Sequence, residues 1–264
     1  MTVLDSTVLS AGECRATLAA NEALPETWLA IYLAGSLIRG WGNPKSDLDV
    51  YVITAEPWQG GRVADEVSVT AGIVPVKAFY VDGRRWDVEF WADRQVDRIL
   101  DYAAWDKFES GASKGSSLTA TEVAFANRLS RCHVIDGAEW VSDRAKQFEA
   151  SAMKSIVVAE VLDNVDGMVE DAVGMIEVGD YVSATTSARL AFDAAVDALL
   201  ASLGDYERQV KWRARRLLEM RPSQLSFDQY WQVATMRDFD QAAPEKWIRS
   251  VLQSCQELAQ AVSL

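Results

Sequence analysis

Two aspartates one residue apart open the chemical reading of this chain. Residues 33–52 read LAGSLIRGWGNPKSDLDVYV, in which Asp47 and Asp49 flank Leu48 and lead into an apolar run. Side chains on a strand alternate faces, so both carboxylates point the same way while Leu48 and Val50 turn into the core. They stand about 7 Å apart along that face, within reach of a hard divalent cation. Across a ten-residue spacer, Gly35-Ser36 sits where a strand gives way to a helical turn. There, backbone N–H groups are open to a phosphate. Together the two halves describe a site for a metal-bound nucleoside triphosphate.

Gly-Ser, the spacer and Asp-x-Asp between apolar residues resemble the signature of the DNA polymerase β-like nucleotidyltransferase superfamily. Arg39-Gly40 and Ser46 are similar to its small bacterial members, which modify antibiotics, other small molecules or proteins. The resemblance is specific over residues 31–53 and extends in outline to Gly137. It implies an α+β fold, with an N-terminal mixed-sheet nucleotidyltransferase domain (1–142) and an all-α helical bundle (143–264). In this layout, that of the aminoglycoside nucleotidyltransferases, the bundle binds the acceptor and walls one side of a cleft.

The same resemblance demands a third acid from a neighbouring strand. Residues 85–91 supply Asp87 and Glu89 on one strand face. Asp87 is the first choice as metal ligand beside Asp47 and Asp49. Which of Asp87 and Glu89 ligates, and which takes the proton from the attacking group, stays open. The oxygen-only ligands imply Mg2+, with Mn2+ as a substitute, and ATP or another NTP as substrate. Gly35 and Ser36 are expected at the phosphates. Arg39 reads as a phosphate contact or an ion-pair partner, and Ser46 as a phosphate contact or a loop cap.

The elements that must position these groups follow from periodicity and breakers. The spacing predicts a helix over 8–23, strands over 28–33 and 47–54, and a short helix over 37–41. A hairpin is predicted from strands 74–81 and 85–91 about Asp82-Gly83. Helix 96–108 follows, then a flexible stretch over 109–117. Thr119 and Glu122 have capping-box spacing and start a helix that runs to about Cys132. From Ser142 onward strand signals disappear, and helices are predicted over 143–178, 181–203, 206–220, 227–239 and 244–262. Lys211 heads the most basic run of this half, with Arg213, Arg215 and Arg216. It reads either as a ligand of the triphosphate or pyrophosphate, or as a surface charge pairing with Asp205 and Glu207. Asp193 and Asp197, one and two turns after Arg189, read as an interhelical or an acceptor-binding face. Among ten tryptophans, Trp86 alternates into the core, while Trp41, Trp91, Trp105 and Trp231 are candidate stacking walls.

Composition narrows the function. The 264 residues are 49% hydrophobic and carry a net charge of −13, divided as −7 over 1–142 and −6 over 143–264. Such a surface repels polyanions, so no nucleic-acid partner is expected, and a cationic small acceptor is favoured. A single histidine, His133, gives neither a zinc cluster nor a Ser-His-Asp site. Three scattered cysteines, no apolar run of membrane-span length and no leader pattern in the first residues predict a cytoplasmic protein with no membrane partner. A homodimer is left open. The expected activity is magnesium-dependent transfer of a nucleoside monophosphate onto a hydroxyl of a small acceptor, such as an aminoglycoside-like or natural-product compound, releasing pyrophosphate. AMP from ATP is the choice that family frequency implies. The alternatives are the same chemistry on a protein or RNA partner, as in toxin–antitoxin systems, or a non-catalytic nucleotide-binding scaffold.

Overall fold

The computed structural model describes residues 9–112 and 118–262. The first eight residues, the last two, and residues 113–117 of the predicted flexible stretch lie outside the described residues. The chain divides into two compact units, Met1–Met153 and Lys154–Leu264.

In the first unit six strands form one sheet in the order β3-β4-β5-β2-β1-β6. They are β1 (Ala30–Ala34), β2 (Leu48–Thr54), β3 (Asp65–Val69), β4 (Gly72–Val81), β5 (Arg84–Ala92) and β6 (His133–Asp136). Every pairing is antiparallel except the central one, β2 with β5. The hairpin about Asp82-Gly83 forms as the sequence predicts. Both turn residues have positive φ, 50° and 78°, the geometry whose twist matches the flanking strands. Strand β3, which gave no clear signal, is an edge strand with Asp65 and Glu66 exposed; charge at an edge blocks further pairing. Strand β6 went unpredicted. It is four residues long, only Ile135 of it is buried, and a segment so short carries no usable alternation.

Alternation along the strands gives the sheet two different faces. Ile31, Leu33, Leu48, Val50, Val52, Trp86, Val88 and Phe90 form one core with Cys14 and Leu18 of helix α1 (Ala11–Ala20). The opposite face carries Tyr32 stacked on Tyr51, and Trp91 against Phe125, which in turn meets Phe148. The short helix α2 (Gly35–Ile38) joins β1 to the loop before β2. The predicted helix 96–108 divides at Ala103-Ala104 into α3 (Asp93–Tyr102) and α4 (Trp105–Glu109). Phe125 lies on α5 (Ala120–Leu129) and Phe148 on α6 (Ala138–Ala150).

The predicted long helix 143–178 is two helices. The chain turns extended at Ser151 (φ −84°, ψ 172°) and restarts as α7 (Met153–Glu177). Helix α6 belongs to the first unit because Arg144 bridges Asp93 and Asp97 of α3 at 2.6 and 2.7 Å, and Trp140 donates to Asp93. The units therefore divide beyond the 142/143 boundary expected from the sequence. Helices α8 (Tyr181–Ser202), α9 (Arg213–Met220), α10 (Phe227–Ala234) and α11 (Pro244–Ala261) complete the second unit, with a single helical turn at Val210–Trp212 before α9. Its core joins Phe192, Val196 and Leu199 of α8 to Trp247, Ile248, Val251 and Cys255 of α11. Among the described residues no helix is long and apolar enough to cross a membrane.

Candidate active site

Strand β1 runs straight into Gly35, whose φ is +79°. A left-handed residue there bends the chain sharply into α2 and leaves room above its α-carbon. The carboxylate of Asp49 fills that room: a Cβ built on Gly35 would lie 1.9 Å from Asp49 Oδ2. The register explains the meeting, since Ala34 pairs with Asp49 across β1 and β2. The glycine of the Gly-Ser turn and the second acid of Asp-x-Asp are thus packed on each other. On the other side of β2, Asp49 pairs with Asp87 and Tyr51 with Glu89 in the parallel register. Asp47 is exposed, one residue before β2 begins, so the expected strand 47–54 starts at Leu48. Its charge is felt by both Asp49 and Asp87.

The electrostatics record how crowded these acids are. Burial raises Asp49 to about 6; Arg128 opposes the shift, and Glu89, Asp87 and Asp47 add to it. Burial also raises Asp87, against the pull of Arg85, which holds its Oδ1 at 2.8 Å. Glu89 is differently placed. Its Oε1 accepts from the Tyr51 hydroxyl at 2.9 Å and its Oε2 from the Trp91 indole at 2.9 Å. Arg128 Nη1 lies 3.5 Å from Glu89 and 3.7 Å from Asp49 Oδ1, and donates to the Tyr51 hydroxyl. Glu89 is engaged from three directions, whereas Asp47, Asp49 and Asp87 form the outer row.

Among the described residues no three acid, cysteine or histidine side chains form a ready-made metal cage. Carboxylate oxygens in an open row nevertheless suit a hard cation such as magnesium, which keeps waters and shares phosphate oxygens instead of filling its shell from protein.

Around the acids the predicted contacts resolve individually. Ser36 lies in the first turn of α2, half-buried, and its carbonyl accepts from the N–H groups of Trp41 and Gly42. Arg39 lays its guanidinium over the Trp41 ring at 3.6 Å. The Ser46 hydroxyl accepts from the Asn43 N–H at 2.9 Å, the loop-capping role of its two readings. Of the candidate stacking walls, Trp91 is fully buried in the core, Trp41 is nearly so, and Trp105 and Trp231 are about half exposed.

In the second unit, Lys211 is exposed in the turn Val210–Trp212, its ammonium 5.2 Å from the centre of the Trp212 ring. Its neighbours are engaged inward. Arg213 bridges Asp193 and Asp197 at 3.2 and 2.7 Å; Arg216 holds Asp197 at 2.6 Å and donates to the Asp205 carbonyl at 2.7 Å. Asp193 is buried and Asp205 and Arg216 almost wholly so. The Asp193/Asp197 stripe is therefore the interhelical one of its two readings, a buried ion cluster joining α8 to α9.

Sequence reasoning passed over Arg128. Its signal was a charge on the apolar stripe of the capped helix, three residues after Phe125 and one before the buried Leu129. The helix is fixed at its other end by the predicted capping box. Glu122 closes the box on Thr119 and also accepts from the N–H and hydroxyl of Thr70 in the β3–β4 turn.

No protein-family model matches this chain, and no curated protein matches it by sequence. Among solved structures, a nucleotidyltransferase-like protein from Exiguobacterium sibiricum 255-15 is similar in fold. The TM-score is 0.51 at 16% identity, over 95% of this chain and 74% of that one. The α+β architecture, a mixed sheet followed by helices, is that of a nucleotidyltransferase-like fold.

Proposed function

We propose that this chain is a nucleotidyltransferase that moves a nucleoside monophosphate, AMP from ATP, onto a hydroxyl of a small acceptor and releases pyrophosphate. The observation that carries the reading is the packing of Asp49 on Gly35 with Asp87 in register beside it. The Gly35-Ser36 turn and the acids Asp49 and Asp87 thereby meet at one end of one sheet. Asp47, Asp49 and Asp87 would hold magnesium, which when bound neutralises charge on the triphosphate and on the departing pyrophosphate. Gly35 and Ser36 present backbone N–H groups toward the phosphates, and Arg39 and Ser46 line the loop between. Asp87, half-buried and drawn toward Arg85, is the better placed of the two hairpin acids to take the acceptor proton, because both oxygens of Glu89 already accept hydrogen bonds. A cationic or polyhydroxylated acceptor agrees with the net charge of −13.

Calorimetry with ATP in magnesium and in EDTA, followed by a pyrophosphate-release screen of nucleotides against acceptors, tests this. Magnesium-dependent binding that is lost in Asp49→Asn is the expected result. ATP binding that ignores both magnesium and that substitution would refute it.

A further inference from the structure

Arg128 is held in a way that ordinary ion pairing does not explain. An arginine paired for strength presents two N–H groups to two oxygens of one carboxylate. Here one nitrogen, Nη1, faces three acceptors, the Tyr51 hydroxyl, Glu89 Oε1 and Asp49 Oδ1, while Nε is buried with no partner. The side chain is only 17% exposed. A donor is left unsatisfied so that the positive charge stands between two acids, one from each of the parallel strands. Glu89 is the counterpart of that arrangement. Tyr51 donates to one of its oxygens and Trp91 to the other, which fixes the carboxylate beside the guanidinium.

We infer that Arg128 is a positioning residue, a fixed internal cation that Glu89 and Tyr51 hold against the inner side of the acid row. It neutralises that side, so the row assembles without a metal, and it repels a metal arriving alone. The site then takes its divalent ion together with a triphosphate, whose own negative charge offsets the guanidinium. The inference rests on the metal–nucleotide reading of the site, and goes beyond it in assigning Glu89 to Arg128 and not to the metal or the proton.

Mn2+ binding to the full-length protein, measured by electron paramagnetic resonance with and without ATP, tests it alongside thermal melting. Wild type is expected to take up Mn2+ weakly alone and well with ATP. R128M should bind Mn2+ alone about tenfold more tightly or better, because one repelling charge near the ion is gone. It should melt lower than wild type in EDTA and recover more on adding Mn2+. R128K keeps the charge and should bind Mn2+ as wild type does, and the double variant R128M/E89Q, which removes both charges, should return to within about threefold of wild type. If R128M does not fold, R128Q gives the same comparison. R128M binding Mn2+ no more tightly than wild type, or R128K matching R128M, overturns the role of Arg128 and leaves the nucleotide site standing. A wild type that takes up Mn2+ neither alone nor with ATP overturns both.

Discussion

Replacing Gly35 with alanine is the sharpest test of how the site is built. Two costs arise together. An L-residue at φ +79° lies in the left-handed region, at about 1–2 kcal/mol. The new Cβ would also fall 1.9 Å from Asp49 Oδ2, where ordinary contact begins at 3.4 Å. The carboxylate must retreat by about 1.5 Å, and a misplacement of that size costs roughly 10²-fold in rate. Retreat is not free, because Arg128 stands 3.7 Å from the other oxygen and the strand is paired on both sides. The expected outcome is a melting temperature lower by about 4–8 °C, from roughly 2 kcal/mol in a unit of this size. Magnesium-dependent nucleotide binding should weaken in parallel. Gly12→Ala is the control: nothing lies within 4 Å of a Cβ there, and in the first turn of α1 the change should be neutral or stabilising. Melting curves and calorimetry on the two variants read the comparison. Gly35→Ala with wild-type melting and wild-type binding would refute the packing argument.

Three further outcomes follow from the charges. Asp49, raised to about 6 against roughly 4 in an unfolded chain, favours folding while protonated; that contribution is complete below about pH 4 and is lost as pH rises through 6. Urea denaturation in EDTA should therefore show up to about 3 kcal/mol lost from this group between pH 4 and 7, and Asp49→Asn should flatten that slope; parallel slopes would reject the assignment. Asp47 is exposed and outside the strand, so Asp47→Asn should leave melting unchanged while lowering turnover at least about a hundredfold, and a variant that keeps a tenth of the rate would remove Asp47 from the metal row. In the second unit, Arg216→Met leaves Asp197 with Arg213 alone and removes the ion pair to the buried Asp205, and should cost about 3–5 kcal/mol in chemical denaturation. A loss under about 1 kcal/mol would show that the cluster relaxes on its own.

The parts of the fold legible in the sequence are those fixed by local chemistry. Asp82-Gly83 dictated a hairpin because two consecutive residues tolerate positive φ, and Thr119 with Glu122 dictated a helix start. Asp49 was placed because alternation on a strand is obligatory, whereas Asp47 lies one residue before β2 and owes its position to the loop. What stayed hidden depended on partners distant in the chain. Strand β6 exists because β1 offers it an edge, not because His133–Asp136 is strand-like by itself. The break at Ser151 appears only once Arg144 and Phe148 commit α6 to the sheet domain. Arg128 was invisible because its acceptors, Tyr51, Glu89 and Asp49, come from two strands that the sequence does not pair. The same limit left the Asp193/Asp197 stripe with two readings until the arginines of α9 were seen against it.

The parallel pairing of β2 with β5 bears on how the protein folds. Asp49 and Asp87 are neighbours although a whole excursion, β3, β4 and the hairpin turn, lies between them. Tyr51 and Glu89, two pairs along, are 38 positions apart, and closing such a loop costs about 3 kcal/mol of chain entropy before any contact repays it. That closure is also the step that first brings like charges together, with no hairpin to hold them in place beforehand. The acids proposed to hold the metal thus stand on a seam that only a long loop closure can form, and refolding is expected to accelerate, by stopped-flow fluorescence, when either aspartate is replaced by asparagine.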